Sequence, residues 1–261
     1  MDLVRPSIVL FGDSITQHSF AKNGWAAALA NDYSVSMDIF NRGFSGYNTK
    51  WANLIVKHCI NSEIFRQVEV VTIFFGANDA VVPNLIDRFS RQHVPIEEYK
   101  QNLIEIANYV KNIQNRDGTS PHVLIIGPPP ADEEKWHSEM KTKWGEGRPV
   151  EEIPCNRSLK ATELYSKAAS EAAKETGSTF IDCYNAFIAK DDWKSMFEDG
   201  LHPNENGQQV LYSLVRNALD ELPRGRLKIE NVSPQFPHHS EIDENDPAAK
   251  LMSVIPGSWL K

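Results

Sequence analysis

The 261 residues carry 27 Lys and Arg against 35 Asp and Glu, a formal net charge of −8. That balance, with no Lys/Arg cluster to override it, excludes a nucleic-acid surface and directs attention to small-molecule or protein partners. The length suits one large α/β domain with a full core, and three scattered cysteines, Cys59, Cys155 and Cys183, exclude a disulfide framework or a zinc knuckle and fit a reducing compartment.

Ser7 to Phe11 is a short apolar run that stops at Gly12-Asp13-Ser14. It predicts a parallel strand covered on both faces, with Gly12 allowing a sharp turn and Ser14 placed where open α/β sheets hold their chemistry. By itself such a turn is more often a helix N-cap than an active site. Asn23 to Asp32 follows as a short alanine-rich helix, then Val35 to Phe40 as a second strand ending in the glycine turn Asn41 to Gly46. Trp51, Leu54, Ile55 and His58 mark one face of a helix running to about Ser62. Val68 to Phe75 is a third strand, stopping at Gly76-Ala77-Asn78-Asp79 much as the first strand stops.

After a loop over residues 80–96, the spacing of Tyr99, Leu103, Ile106, Tyr109, Val110 and Ile113 predicts a long helix. His122 to Gly127 is a fourth strand, closed by Pro128-Pro129-Pro130. Residues 131–155 are long for a bare connection, which predicts local helix and a role over the site. Leu159 to Thr176 reads as a helix stopped by Gly177, Thr179 to Cys183 as a fifth strand, and Asn204 to Leu222 as a last helix with Pro203 in its first turn. This alternation implies a parallel sheet with helices on both faces. Residues 223–261, with five prolines, form a tail appended to a catalytic domain over residues 1–222.

Asp13-Ser14, Gly43 and Asn78 then lie near one sheet edge, and Asp199 and His202 stand near the end of the chain. Ser14 needs a base to become a nucleophile; His202 can take and return the proton, and Asp199 can steer the imidazole. The backbone N–H of Ser14, the backbone N–H of Gly43 and the side-chain amide of Asn78 are candidate donors for the oxyanion of an acyl-transfer intermediate. Each has a bland reading as a turn former, a cap or a loop acid; together they supply one mechanism. Asp13 is assigned to bracing the turn.

These residues resemble the four blocks of the SGNH hydrolases, also called GDSL esterases and lipases: Gly12-Asp13-Ser14, Gly43 within Asn41-Arg42-Gly43, Gly76-Ala77-Asn78-Asp79, and Asp199-Gly200-Leu201-His202-Pro203. The resemblance covers roughly the first 220 residues. It implies a three-layer α/β/α sandwich with a five-stranded parallel sheet in flavodoxin-like order and no metal or organic cofactor. Thr72 to Asp79 and Gln92 to Tyr99 are similar to the isoamyl acetate-hydrolysing esterase branch, which implies short-chain acetate esters as substrates. Thioesterase, carbohydrate deacetylase and acyltransferase chemistry would use the same residues, and a non-catalytic binding protein could keep the fold. A nucleotide or flavin binder is disfavoured, because no GxGxxG or P-loop motif follows the first strand.

Trp136, Trp144, Phe44 and Leu201 are apolar candidates for the pocket, more often core or loop packing than acyl contacts. His93 reads as a structural loop histidine, and His238-His239 lacks a third ligand for a metal. Asn156-Arg157-Ser158 and Asn231-Val232-Ser233 match the glycosylation pattern, which carries little weight because Arg5 and the short run after it fall short of a signal peptide. No stretch reaches bilayer-spanning length. The expectation is a cytoplasmic protein acting on a small-molecule ester, with no nucleic-acid partner and the tail available for a homo-oligomer.

Overall fold

The computed structural model describes residues 5–83, 88–144 and 154–254. Five parallel strands, β1 (Ser7–Gly12), β2 (Asp38–Gly43), β3 (Val68–Phe74), β4 (His122–Ile126) and β5 (Thr179–Ile181), form one sheet in the order β2-β1-β3-β4-β5. The chain leaves β1 toward one edge and returns past it to β3, so the strand order reverses between β1 and β3. That reversal opens a crevice at the carboxyl ends of the two strands, the place where open α/β sheets bind ligands. Gly12 ends β1 opposite Phe74, and Asp13 N–H donates to the Phe74 carbonyl at 3.2 Å, which ties the turn after β1 to the end of β3.

Alternation along β1 explains the two cores. Ile8 and Leu10 face one layer, Val9 and Phe11 the other, and all four are fully buried. The helices are α1 (Ser14–Gln17), α2 (Trp25–Asp32), α3 (Thr49–Cys59), α4 (Ile96–Lys111), α5 (Glu133–Trp144), α6 (Leu159–Thr176), α7 (Cys183–Ile188), α8 (Glu205–Asp220) and α9 (Pro247–Ser253). Trp25 and Leu29 of α2, Phe187 of α7 and Leu211, Val215 and Leu219 of α8 fill the Ile8/Leu10 side. Ala52 and Val56 of α3, Leu103 and Val110 of α4 and the alanines of α6 fill the other. The result is the α/β/α sandwich in flavodoxin-like order.

Several boundaries differ from the sequence reading. β2 begins at Asp38 and runs through Asn41 to Gly43, residues expected to form the turn. As an edge strand it is half-buried along its whole length, so the apolar pattern marks its limits poorly, and pairing with β1 sets them. α3 turns a different face inward: Thr49, Ala52 and Val56 are buried, while Leu54 is 69% exposed. Cys183 starts α7 after a three-residue β5, because Asp182 caps that helix through Asn185 N–H. Pro203 precedes α8, whose N-cap is Asn204, and bridges Phe197 instead. The long connection after β4 does contain a helix, α5; Gly145 and Gly147 lie outside the described residues.

Part of the tail lies against the domain. Leu227 is buried and its carbonyl accepts from the Tyr33 hydroxyl at 2.5 Å, Arg226 pairs with Glu69 at 2.9 Å, and Gln235 N–H donates to the Val35 carbonyl at 2.9 Å.

Candidate active site

The turn after β1 is built by close approach. A Cβ on Gly12 would fall 2.1 Å from Thr16 Oγ1, so only glycine lets α1 fold back on the strand end. Asp13 is the N-cap of α1, its Oδ1 accepting Ile15 N–H at 2.9 Å, which is the bracing expected of it. Asn41 on β2 clamps the other end of this short helix: its Nδ2 donates to the Thr16 carbonyl at 2.8 Å and its Oδ1 accepts Gly43 N–H at 2.8 Å. Ser14 therefore sits on a turn held from two strands.

His202 arrives from the far end of the chain. The loop 197–203 is closed by the Phe197–Pro203 bridge and by Glu198 N–H donating to the His202 carbonyl at 2.8 Å. Gly200 turns it with φ of 89°, and a Cβ there would fall 2.4 Å from Trp136 N, so the position needs glycine twice over. Asp199 Oδ1 accepts the backbone N–H groups of Leu201 and His202 at 3.0 and 2.8 Å, and its Oδ2 lies 2.8 Å from His202 Nδ1. A carboxylate only accepts, so Nδ1 carries the proton and donates it to Asp199, leaving Nε2 of the neutral ring as an acceptor. Ser14 Oγ lies 2.9 Å from that Nε2. Burial pushes the Asp199 carboxyl up, but the His202 ring and the two backbone N–H groups outweigh it and hold the group well below the usual carboxylate range.

The expected oxyanion donors fare unequally. Ser14 N–H has no hydrogen-bond partner among the described residues. Asn78, buried, donates from Nδ2 to the Tyr47 carbonyl at 2.9 Å, which leaves its second N–H. Gly43 N–H, however, is already given to Asn41 Oδ1. The absence of a side chain at 43 serves packing, since a Cβ would fall 2.1 Å from Gln17 N. Gly46, three residues on with φ of 80°, lies between Ser45, which lines the cavity at Ser14, and Tyr47, which holds Asn78. No partner is recorded for its N–H among the described residues. Among the described residues Gly46 N–H is thus open to an acceptor, whereas Gly43 N–H is taken by Asn41.

Two buried carboxyls lie beneath the site. Burial pushes Asp13 up to about 6, against the pull of the Ile15 N–H and the charges of His202 and Arg157. Burial pushes Asp79 to about 7, with Thr49 donating from N and Oγ1 to its Oδ1 and Asp13 adding repulsion. Above them Ser14 and His202 open into a cavity of about 390 Å³ whose walls include His18, Lys22, Ser45, Glu198 and Glu205.

Sequence reading missed Asn41 and Arg157. Arg157, 4% exposed, donates from Nη1 to the Ala77 carbonyl at 2.8 Å and from Nη2 toward Asn78 Oδ1 at 3.5 Å. Trp136 and Leu201 belong to the core beside β4 and α8, and Phe44 packs against the opposite core. The side chain of Trp144 lies outside the described residues. His93 is 2.7 Å from the Val81 carbonyl, a loop bond, and His238 caps a single 3₁₀ turn. Among the described residues no group of three or more His, Cys, Asp or Glu is arranged to hold a metal, and no helix is long and apolar enough to cross a membrane.

Fold and site, taken with the likenesses that follow, define a carboxylic ester hydrolase. The GDSL-like Lipase/Acylhydrolase family model matches residues 10–210, and the chain belongs to that family. It is 37% identical to a GDSL esterase/lipase of Arabidopsis thaliana, over 94% of this chain and 97% of the relative. It is 33% identical to the isoamyl acetate-hydrolyzing esterase 1 homolog of Homo sapiens, over 96% of this chain and 93% of that protein. Among solved structures, a lipase/acylhydrolase from Enterococcus faecalis superposes with a TM-score of 0.62 at 23% identity, covering 85% of this chain and 97% of its own. An acetylxylan esterase from Geobacillus stearothermophilus does so with a TM-score of 0.60 at 17% identity, covering 83% and 95%. Both share the fold.

Proposed function

We propose that the protein hydrolyses short-chain carboxylic esters, acetate esters of alcohols foremost, through an acyl-enzyme on Ser14. The observation that carries this reading is the continuous chain from Ser14 Oγ through His202 to Asp199, with contacts of 2.9 and 2.8 Å. Ser14 Oγ attacks the ester carbonyl while its proton passes to His202 Nε2, and Asp199 steadies the imidazolium that forms. The tetrahedral oxyanion is met by the N–H groups of Ser14 and Gly46 and by the second N–H of Asn78. His202 returns the proton to the departing alkoxide, leaving Ser14 acylated; water, deprotonated by His202, then releases the acid and restores the serine.

Acetate esters are favoured because the isoamyl acetate-hydrolyzing esterase 1 homologs resemble this chain over nearly its whole length. A second reading, deacetylation of a carbohydrate, is supported by the charged wall of the cavity, where Lys22, Glu198 and Glu205 offer partners for hydroxyl groups. Residues 1–222 are the proposed catalytic unit, with 223–261 an appended tail. A fluorophosphonate probe tests the mechanism: modification of Ser14 in the mass spectrum is expected, and modification of a different residue, or of none, would contradict it. Turnover of acetate, butyrate and octanoate esters beside an acetylated xylo-oligosaccharide separates the two substrate readings.

A further inference from the structure

Asn78 can serve as an oxyanion donor only if its amide is held one way round. A flipped amide would present a carbonyl oxygen to a developing negative charge. Two neighbours oppose the flip. The Tyr47 carbonyl can only accept, so the atom 2.9 Å from it must be Nδ2. The Arg157 guanidinium can only donate, so the atom facing its Nη2 must be Oδ1. At 3.5 Å the second contact is long, yet it sets a full positive charge at the oxygen end of the amide dipole.

Arg157 is itself firmly held. Its Nη1 donates to the Ala77 carbonyl at 2.8 Å, one residue before Asn78, and its Cζ lies 5.1 Å from the Trp136 ring centroid. Trp136 is fixed in turn by Nε1 donating to Asn156 Oδ1 at 2.7 Å, and the Asn156 carbonyl accepts Val82 N–H at 2.9 Å. Asn156 and Arg157 thus join the segment before α6 to the loop after β3. A buried guanidinium is costly to desolvate, and an aliphatic side chain could fill the same volume without that cost. The Arg157 charge favours the ionised form of the buried Asp13. Beneath an oxyanion donor the charge has a further use, because it draws electron density toward Oδ1 and makes Nδ2–H a stronger donor.

We propose that Arg157 is a positioning residue for the esterase reaction: it fixes and polarises the Asn78 amide so that Nδ2–H faces the tetrahedral oxyanion. This inference rests on the reading of Asn78 as an oxyanion donor. Because the guanidinium acts through Asn78, its loss lowers kcat and leaves KM nearly unchanged, and the loss vanishes once Asn78 is gone. Lysine keeps the charge but not the planar fork that reaches Ala77 and Asn78 together.

The test is a double-mutant cycle on the full chain with p-nitrophenyl acetate, using Arg157→Lys, Asn78→Ala and the pair, with folding checked by thermal melting. Asn78→Ala is expected to lower kcat by about 10²-fold or more. Arg157→Lys is expected to lower kcat about tenfold in the wild-type background and less than about twofold in Asn78→Ala, with KM within about twofold throughout. Equal losses in both backgrounds, or no loss from Arg157→Lys, would overturn the role given to Arg157 while leaving Asn78 a donor. An Asn78→Ala enzyme with unchanged kcat would remove the reading of Asn78, and the inference with it. If Arg157→Lys does not fold, Arg157→Gln takes its place in the same cycle; failure of both to fold would make Arg157 a structural residue and overturn the inference.

Discussion

Ser14 Oγ and His202 Nε2 stand 2.9 Å apart although 188 residues separate them in the chain. One rides on the turn after β1 and the other on the loop before α8, and α2 and α8 packing on the same face of the sheet brings the two together. Asp199 sets the tautomer of His202 from three residues away. Asp199→Asn keeps an acceptor for the two backbone N–H groups but permits the wrong imidazole tautomer. Its kcat is expected to fall on the order of 10²- to 10⁴-fold with little change in melting temperature. Retention of most of the turnover would show that His202 is oriented by other means.

Gly43, which ends β2, and Gly46, in the turn that follows, make opposite predictions. A Cβ at Gly43 meets the Gln17 backbone, which cannot yield, so Gly43→Ala should lose stability or fail to fold. At Gly46 the nearest obstacle is the end of the Gln92 side chain at 3.2 Å, but φ of 80° strains any L side chain. Gly46→Ala should fold at a cost of about 1 kcal/mol and lose about tenfold or more in kcat as its N–H shifts. Melting curves and steady-state kinetics on the two variants decide the point; a stable, slow Gly43→Ala beside a fully active Gly46→Ala would return the donor to Gly43.

Asp79 gives stability a pH dependence of definite sign. Its folded-state pKa, raised to about 7 from 3.8, means that the folded chain holds a proton that the unfolded chain releases. That contribution is complete below the unfolded value and is lost as pH rises through about 7. Asp13, raised to about 6, acts in the same direction, whereas the low pKa of Asp199 bears only on the acid limb. Asp79→Asn retains the oxygen that Thr49 uses. Melting temperature from pH 5 to 8 is therefore expected to decline less in Asp79→Asn than in wild type, at about 2–4 °C for each kcal/mol recovered. Parallel profiles would place the buried charge elsewhere.

Truncation after Leu222 removes the buried Leu227, the acceptor of the Tyr33 hydroxyl and the Arg226–Glu69 pair. Burial of a leucine is worth about 1.5–3 kcal/mol, so the shortened chain should melt about 5 °C lower or more. Gel filtration of both chains also tests whether the tail joins two copies. An unchanged melting temperature would mean that the tail contributes nothing to the stability of the domain.

Much of this architecture was legible because β1, β3 and β4 are buried on both faces over most of their length and read as nearly continuous apolar runs. β2 was not, since an edge strand whose residues are all half-buried carries no clear pattern, and its limits follow from pairing with β1. On α3 the large residues misled: Leu54 faces solvent while the small Ala52 lies inward with Val56. Ser14, Asn78, Asp199 and His202 stood out as chemical types at strand and loop ends. Asn41 and Arg157 did not, for their meaning lies in contacts across the fold; Arg157 meets Ala77 and Asn78 from 80 and 79 residues away. In the sequence Arg157 is only the middle of a glycosylation pattern.

The central claim is that Ser14 forms the acyl-enzyme. Turnover of p-nitrophenyl acetate by wild type and by Ser14→Ala, each shown to be folded by its melting curve, tests it most directly. The account predicts a loss in kcat on the order of 10⁴-fold or more. Turnover within about tenfold of wild type would contradict it.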